Sequence, residues 1–384
     1  MEDILVKFLI IISLLFFIPK VLFKLKKIPT SITEIFLGIL LGILFPAFFF
    51  IDDVIRVLGA LGIITIFLVG GMETDLPYIL KNKKYFLESI LLQFILIIIV
   101  SIITFYIFKQ TFQVSLIISL ALMTPSAGFI FSLLTHSEES HESKKLIQST
   151  VICLEILSLL LLLIFLNLGS IITIVIGIIS ILLIIFLLPI ILQWLYEHMF
   201  KKIFGAEFSF IFVVALISAY ITEWIGVHFI IGAFVAGIVS KQFLDKINNG
   251  LWKMSPEHSI TQSFVFFSHM FAPFYFFSIG LMFTLELLNL KTFLLALAAF
   301  IIVMGLRFLP SFIHHKFKGR KHYQSINLSI IILPTLLFTF VITELLNTHF
   351  KLEKTIIGAI LIYGILASTI PLFFLNNQKT EEKF

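Results

Sequence analysis

Two ionisable residues lie deep inside apolar segments that are long enough to cross a membrane. Glu155 lies near the centre of LIQSTVICLEILSLLLLLIFL (146–166), and Arg307 lies within IIVMGLRFLPSF (301–312). A charge at the bilayer centre costs about 2.5–3.5 kcal/mol on insertion scales, so such residues usually serve a function. A buried carboxylate can bind either a proton or a small hard cation such as sodium, which prefers oxygen ligands. Competition of a proton and a cation for Glu155 would couple their movements across the membrane. Alternatively, Glu155 and Arg307 form a buried pair that only holds two helices together.

The composition indicates a protein that lies almost entirely within a membrane. The chain has 384 residues, of which 60% are hydrophobic and 13% are charged. A soluble domain cannot bury that much apolar surface, so we predict an all-α polytopic membrane protein. Cys153 is the only cysteine, which excludes intrachain disulfides and CxxC metal sites. The sequence has no cluster of His, Asp and Glu or of Ser, His and Asp residues at membrane depth that would indicate an enzyme. We expect no cofactor besides the transported ions.

Apolar stretches with the length of a transmembrane helix follow one another along the whole chain. Thirteen of them lie at 4–24, 29–48, 54–73, 85–108, 113–134, 145–167, 169–192, 207–223, 226–241, 262–284, 292–315, 323–347 and 354–376. An odd number of spans places the two termini on opposite sides of the membrane.

Basic residues predict which side is cytoplasmic. The loops after odd-numbered spans hold Lys24, Lys26, Lys27, Lys81, Lys83, Lys84, Lys144, Lys145, Lys201, Lys202, Lys241, Lys246, Lys253, Lys316, Lys318, Arg320 and Lys321. The loops after even-numbered spans hold Arg56, Lys109, Lys291, Lys351 and Lys354. This asymmetry predicts an outer N-terminus and a cytoplasmic C-terminus. The loops also account for the formal net charge of +5, which therefore indicates no nucleic-acid partner.

An internal repeat relates the two halves of the chain. FLVGGMETDL (67–76) resembles FFSIGLMFTL (276–285), and Gly71 and Gly280 are separated by 209 residues (280 − 71). Pro125 and Pro334, which interrupt two apolar spans, have the same separation (334 − 125). EIFLGILLG (34–42) and FIIGAFVAG (229–237) pair more loosely, and both end in a small-xxx-small spacing that lets helices approach closely. If spans 1–6 repeat as spans 8–13, the second copy is inverted, which is typical of secondary transporters with a site at the midplane.

The two prolines predict interrupted helices at membrane depth. Pro125 in MTPSAG removes a backbone donor and disfavours helix at Thr124, and Gly128 loosens the segment further. Backbone groups freed in this way are tolerated only where they face protein or a water-filled cavity. Thr124 and Ser126 could bond these groups or line an ion path. An ordinary proline kink is the alternative for either proline alone, but the matched position of Pro334 favours paired broken helices.

Four stretches in chain order resemble the bacterial and archaeal monovalent cation:proton antiporters of the second cation:proton antiporter family. IPTSITEIFLGILLG (28–42) is similar to the glycine-spaced second helix of that family, and ALGIITIFLVGGMETDL (60–76) to its third. ITEWIGVHFIIGAFVAGIVS (221–240) is the most specific stretch, and APFYFFSIGLMF (272–283) follows it.

The resemblance implies the sodium/proton antiporter fold, with thirteen helices, two inverted six-helix repeats and crossed broken helices. It further implies a homodimer and an elevator-like movement. The implied regions are interface helices at 1–83 and 206–290, ion-transporting core helices at 84–167 and 291–377, a linker helix at 168–205 and a cytoplasmic tail at 378–384.

For the ion site, the resemblance places Glu155 at the ion-binding position and Leu154 where the family commonly has a second acid or an amide. Arg307 falls where many members have a lysine that pairs with that first acid. With one carboxylate, we expect electroneutral exchange of sodium or potassium for protons, in the bacterial inner membrane. The alternative is a transport-inactive membrane sensor or regulatory protein that keeps the antiporter fold.

Overall fold

The computed structural model describes residues 2–26, 28–135, 140–200, 206–249, 257–287, 289–319 and 322–381, and these residues form helices and short connections without a strand. The basic residues Lys27, Lys201, Lys202, Lys253, Arg320 and Lys321 and residues 382–384 of the predicted tail lie outside this part of the chain. The helices are α1 (Glu2–Lys26), α2 (Thr30–Leu44), α3 (Asp53–Met72), α4 (Leu76–Lys81), α5 (Lys83–Phe108), α6 (Phe112–Met123), α7 (Ala127–Thr135), α8 (His141–Leu166), α9 (Ile171–Leu195), α10 (Ala206–Trp224), α11 (Phe229–Asn249), α12 (Glu257–Leu281), α13 (Leu290–Phe317), α14 (His322–Ile331), α15 (Leu336–His349) and α16 (Lys354–Glu381). A π-helical turn at Tyr196–Phe200 follows α9, and a 3₁₀ turn at Leu285–Leu287 precedes α13.

All thirteen predicted spans fall on these helices. Within the described ranges, eleven segments are long and apolar enough to cross a membrane, and α2 is a shorter apolar helix. The remaining predicted span, 226–241, begins α11, which continues past the apolar residues to a Lys241–Asp245 ion pair of 3.1 Å. The spans predicted at 113–134 and 323–347 each consist of two helices separated by a break, α6 with α7 and α14 with α15. The predicted all-α fold with broken helices is therefore confirmed.

The helices group into two compact units. Unit 1 comprises Met1–Thr74 and Gly169–Thr284, and unit 2 comprises Asp75–Leu168 and Leu285–Phe384. Each unit therefore combines helices from both halves of the chain. The helix at 171–195, predicted as a linker, belongs to unit 1 by its contacts.

Glycines of the sequence repeat make the closest helix contacts in unit 1. A Cβ added at Gly280 of α12 would lie 2.2 Å from a backbone oxygen of α2 and 2.7 Å from the Cα of Gly38. A Cβ added at Gly71 of α3 would lie 2.1 Å from a backbone oxygen of α11 and 3.0 Å from the Cα of Gly237. Because only glycine fits at such distances, the two matched glycines fix how α12 packs on α2 and how α3 packs on α11.

Unit 2 contains both broken helices and the long helices that surround them. α6 packs against α5, α8 and α15, and α16 packs against α13 and α15. Buried hydroxyl-bearing residues are concentrated on the broken helices, including Ser119, Thr124, Thr335 and Thr339, each of which has no exposed surface. Unit 2 also holds the buried Glu155 and Arg307, so both charged residues of the predicted ion site lie in it together with these hydroxyl groups.

Candidate ion-transport site

The first break lies where Pro125 predicts it. α6 ends at Met123, Thr124 has an extended backbone (φ −77°, ψ 122°), and α7 begins at Ala127. An extended residue before proline is expected because the proline ring clashes with a helical residue at that position. Thr124, Pro125 and Ser126 are buried, the first and last of them without any exposed surface, whereas Gly128 lies exposed in the first turn of α7.

The carbonyl groups released at the end of α6 are all bonded by the protein. The last four carbonyls of a helix have no partner within it, and at membrane depth water cannot replace that partner. The Leu120 oxygen accepts from the Thr124 N–H (3.1 Å). Three other helices supply the remaining donors: Thr339 Oγ1 of α15 to the Ala121 oxygen (2.6 Å), Tyr363 Oη of α16 to the Leu122 oxygen (2.7 Å) and Gln93 Nε2 of α5 to the Met123 oxygen (2.8 Å).

The second break is held by a cation. Arg307 of α13 donates from Nη2 to the Ile332 oxygen (2.9 Å) and from Nη1 to the Leu333 oxygen, directly after the end of α14. The guanidinium has donors on two nitrogens that suit two adjacent acceptors, and its positive charge interacts favourably with the partial negative charge at the C-terminal end of α14. Arg307 is only 6% exposed, so these carbonyls compensate much of the cost of its burial.

Ser126 joins the two breaks to each other. Its backbone N–H donates to the Pro334 oxygen (2.9 Å), and its Oγ accepts from the Leu337 N–H (3.4 Å). One residue of the first break therefore bonds the carbonyl side and the amide side of the second. The equal spacing of Pro125 and Pro334 along the chain thus corresponds to a direct contact in space.

Glu155 lies at the N-terminal end of α7. Glu155 is only 2% exposed, and its carboxylate accepts a hydrogen bond from the Ala127 N–H. The N-terminal end of a helix carries a partial positive charge, which favours an anion at this point. Beside it, Thr124 Oγ1 donates to Ser158 Oγ (2.8 Å), and Ser158 Oγ donates to the Leu154 oxygen one turn earlier in α8.

The structure does not bring Arg307 and Glu155 together. Among the described residues, the ion pairs within 4.0 Å include neither of them. The guanidinium instead bonds backbone carbonyls, and the carboxylate bonds a backbone amide. The four predicted site residues Glu155, Arg307, Thr124 and Ser126 all belong to unit 2, at or beside the two breaks.

A cleft of about 530 Å³, which includes space open to solvent, leads from the N-terminal end of α5 and the C-terminal end of α13 to the second break. Tyr85 and His315 line its outer part, and Arg307 and Leu154 line its inner part. Its walls also carry the polar side chains Ser89, Gln93, Thr150, Ser311 and Ser329. Leu154 places an apolar surface in this cleft, at the sequence position next to Glu155. Within the described ranges, no group of three or more His, Cys, Asp or Glu residues could hold a metal ion.

Sequence reasoning missed three of the residues that hold the breaks. Gln93 and Tyr363 are single polar side chains in the middle of apolar spans, and this is a signal that could have identified them. Thr339 gives no such signal, because threonines are frequent in apolar helices and often bond only their own helix.

Comparisons with known proteins agree with this architecture. The family model described as "Sodium/hydrogen exchanger, transmembrane" matches residues 10–375. A curated relative from Methanocaldococcus jannaschii, "Probable Na(+)/H(+) antiporter 3", is 22% identical over 382 residues and covers 96% of this chain and 95% of its own length.

Two solved structures of the sodium proton antiporter MjNhaP1 from Methanocaldococcus jannaschii have the same fold. The structure at pH 8 superposes with a TM-score of 0.75 at 15% identity, over 99% of this chain and 96% of that chain. The second, obtained as an electron-microscopy map, gives a TM-score of 0.69 at 15% identity, over 96% of this chain and 94% of that chain. Because the family model covers nearly the whole chain, this protein belongs to the sodium/hydrogen exchanger transmembrane family and is an integral membrane protein.

Proposed function

We propose that the protein exchanges a monovalent cation, sodium or potassium, for protons across the membrane, with Glu155 as the carboxylate for which the two compete. Membership of the exchanger family supports cation:proton exchange in general. The observation that carries the specific proposal is the position of Glu155, buried in unit 2 at the N-terminal end of α7 and beside the first helix break.

The surroundings of Glu155 suit a cation that is bound for only part of a cycle. A carboxylate buried at membrane depth needs either a proton or a cation, since an uncompensated charge there is costly. The hydroxyl oxygens of Thr124 and Ser158 lie next to the break and add ligands of the type that hard cations prefer. A proton and a cation that occupy the same carboxylate in turn are coupled without any further device.

The contacts of Arg307 support a one-for-one exchange. Arg307 keeps its charge at all physiological pH values, and its bonds to the Ile332 and Leu333 oxygens engage it in the second break. Leu154 contributes no second carboxylate. We therefore propose that each cycle moves one cation against one proton, so that the exchange is electroneutral.

Alternating access in this proposal is a movement of unit 2 as one body. The bonds between the two breaks, above all those of Ser126, favour such a body, because separating the breaks would leave buried backbone groups without partners at membrane depth. We further propose that the helices at 1–83 and 206–290 form the interface of a homodimer. The expected orientation has the C-terminus in the cytoplasm.

The experiment is exchange in reconstituted vesicles that carry a pH-sensitive dye and an imposed proton gradient. We expect sodium or potassium to dissipate the gradient with the wild-type protein and with Glu142→Gln, which alters an exposed acid at the start of the same helix. Glu155→Gln should abolish the signal. An electroneutral cycle should keep its rate when a membrane potential is imposed.

Two results would contradict the proposal. Glu155→Gln that transports as well as wild type would show that this carboxylate is not the competed ligand. A wild-type protein that gains thermal stability from cations but moves none of them would favour the membrane sensor instead.

A further inference from the structure

Tyr363 places one hydroxyl group between the two helix breaks. The residue lies in α16 and has no exposed surface, although a buried tyrosine needs a partner for its polar end. Its hydroxyl donates to the Leu122 oxygen of the first break (2.7 Å). The Arg307 guanidinium, which bonds the Ile332 and Leu333 oxygens of the second break, lies beside the same hydroxyl. Tyr363 thus bonds the first break directly and reaches the second break through Arg307, the cation that holds it.

The contacts extend from Tyr363 to the proposed ion site. Leu122 precedes Pro125 by three residues, and the chain then turns into α7, whose Ala127 N–H bonds the Glu155 carboxylate. On the other side, Arg307 continues from Tyr363 to the Ile332 and Leu333 oxygens. A displacement of the hydroxyl would therefore release a carbonyl of one break and disturb the cation of the other.

The position of α16 leaves Tyr363 little freedom to move. Gly364 packs on α15 so closely that an added Cβ would lie 3.1 Å from the Thr339 methyl carbon and 3.2 Å from the Phe340 ring. Thr339 itself bonds the first break. Helix α16, which carries the hydroxyl, therefore packs directly against α15, which begins at the second break.

We propose that Tyr363 is a positioning residue for cation:proton exchange. Its hydroxyl holds the two helix breaks in a fixed relative position, so that they move together when the ion site switches from one side of the membrane to the other. This proposal rests on the proposed function, because it assigns Tyr363 a role in the same transport cycle. Tyr363 does not touch the transported ion in it. The phenol acts through the Leu122 carbonyl and through Arg307.

The first test is transport by Tyr363→Phe, which removes the hydroxyl and keeps the ring. The maximal exchange rate should fall about tenfold, while the cation concentration for half-maximal rate changes less than twofold, because the oxygen ligands at Glu155 and Thr124 remain. Ser368→Ala is the matched control, since it removes another fully buried hydroxyl of α16 that bonds only one turn back, to the Gly364 oxygen (2.8 Å). It should change neither quantity.

The second test follows both breaks by amide hydrogen exchange and needs no transport. In Tyr363→Phe, peptides that cover 121–128 and peptides that cover 330–337 should both exchange about tenfold faster, and in Ser368→Ala neither should.

The outcomes separate the two proposals. A Tyr363→Phe protein with unchanged maximal rate, or with faster hydrogen exchange at only one break, overturns the role of Tyr363 and leaves the proposed function intact. If the wild-type protein exchanges no ions, the proposed function fails, and the hydrogen-exchange comparison still decides whether Tyr363 couples the breaks.

Discussion

The hydrogen bond from Thr339 to the first helix break gives a prediction with a closely matched control. Thr339 Oγ1 lies 2.6 Å from the Ala121 oxygen, 218 residues away in sequence. Thr343, one turn later in α15, has its Oγ1 at the same 2.6 Å from the Thr339 oxygen, and neither threonine has any exposed surface. The two substitutions Thr339→Val and Thr343→Val therefore make the same chemical change at the same distance in one helix.

The expected magnitudes differ because the acceptors differ. In Thr343→Val, the Thr339 oxygen keeps its helical N–H partner, so the loss should stay below about 0.5 kcal/mol. In Thr339→Val, the Ala121 oxygen at the open end of α6 loses its partner, which costs about 1–3 kcal/mol when the acceptor is buried. Interhelical hydrogen bonds in membrane proteins contribute about 0.6 kcal/mol on average and about 1.7 kcal/mol at most. We therefore expect Thr339→Val to be destabilised by about 1–2 kcal/mol relative to Thr343→Val.

The assay is reversible unfolding in mixed micelles at increasing denaturing-detergent content, followed by circular dichroism, with the free energies compared at the wild-type midpoint. A difference below about 0.3 kcal/mol between the two variants would refute the reasoning, because it would mean that the open end of α6 does not depend on a donor from α15.

Two further predictions concern unit 1. Gly280→Ala must move its new Cβ from 2.2 Å to an ordinary contact distance from the α2 backbone, so it should destabilise the protein by about 1–3 kcal/mol, whereas Gly305→Ala, with nothing within 4 Å, should be neutral or slightly stabilising in the same unfolding assay. Burial raises the pKa of Asp52, but the Ile55 N–H and the Lys7 ammonium (2.7 Å) outweigh it and hold the pKa below its ordinary value. Stability from this depressed pKa is present above the unfolded-state value of about 3.9 and is lost as the pH falls below it, so Asp52→Asn should be less stable than wild type near neutral pH and approach it towards about pH 3 in thermal unfolding. A gap that stays constant over that range would contradict the Lys7–Asp52 assignment.

The positions of the helix breaks could be predicted from sequence because local chemistry determines them. Proline restricts the residue before it, and Thr124 accordingly has an extended backbone. The spacing shared by Pro125 and Pro334 also predicted a pair of breaks. Glycines in a small-xxx-small pattern predicted close helix contacts in the same way, and Gly280 makes such a contact with Gly38.

The partners of the freed backbone groups could not be predicted from sequence. The Leu122 oxygen and Tyr363 are 241 residues apart, and no local pattern relates them. Arg307 illustrates the same difficulty: its depth in an apolar span suggested a carboxylate partner, but the negative end of a broken helix serves the same electrostatic purpose. Only the three-dimensional arrangement distinguishes these two ways of compensating a buried cation.

The pattern of fixed and exchangeable charges supports Glu155 as the proposed point of exchange. Each break produces an end with free carbonyls and an end with free amides. The carbonyl ends are occupied by donors of the protein itself, including the permanent cation Arg307. The amide end of α7 attracts negative charge, and it bonds Glu155, which has no Lys, Arg or His within 4.0 Å in the part of the chain that the structure describes. A buried carboxylate without a protein cation is completed by a proton or by a cation from solution. Because Leu154 adds no further charge beside it, one such ion suffices, and this is the physical basis for proposing an exchange of one cation for one proton.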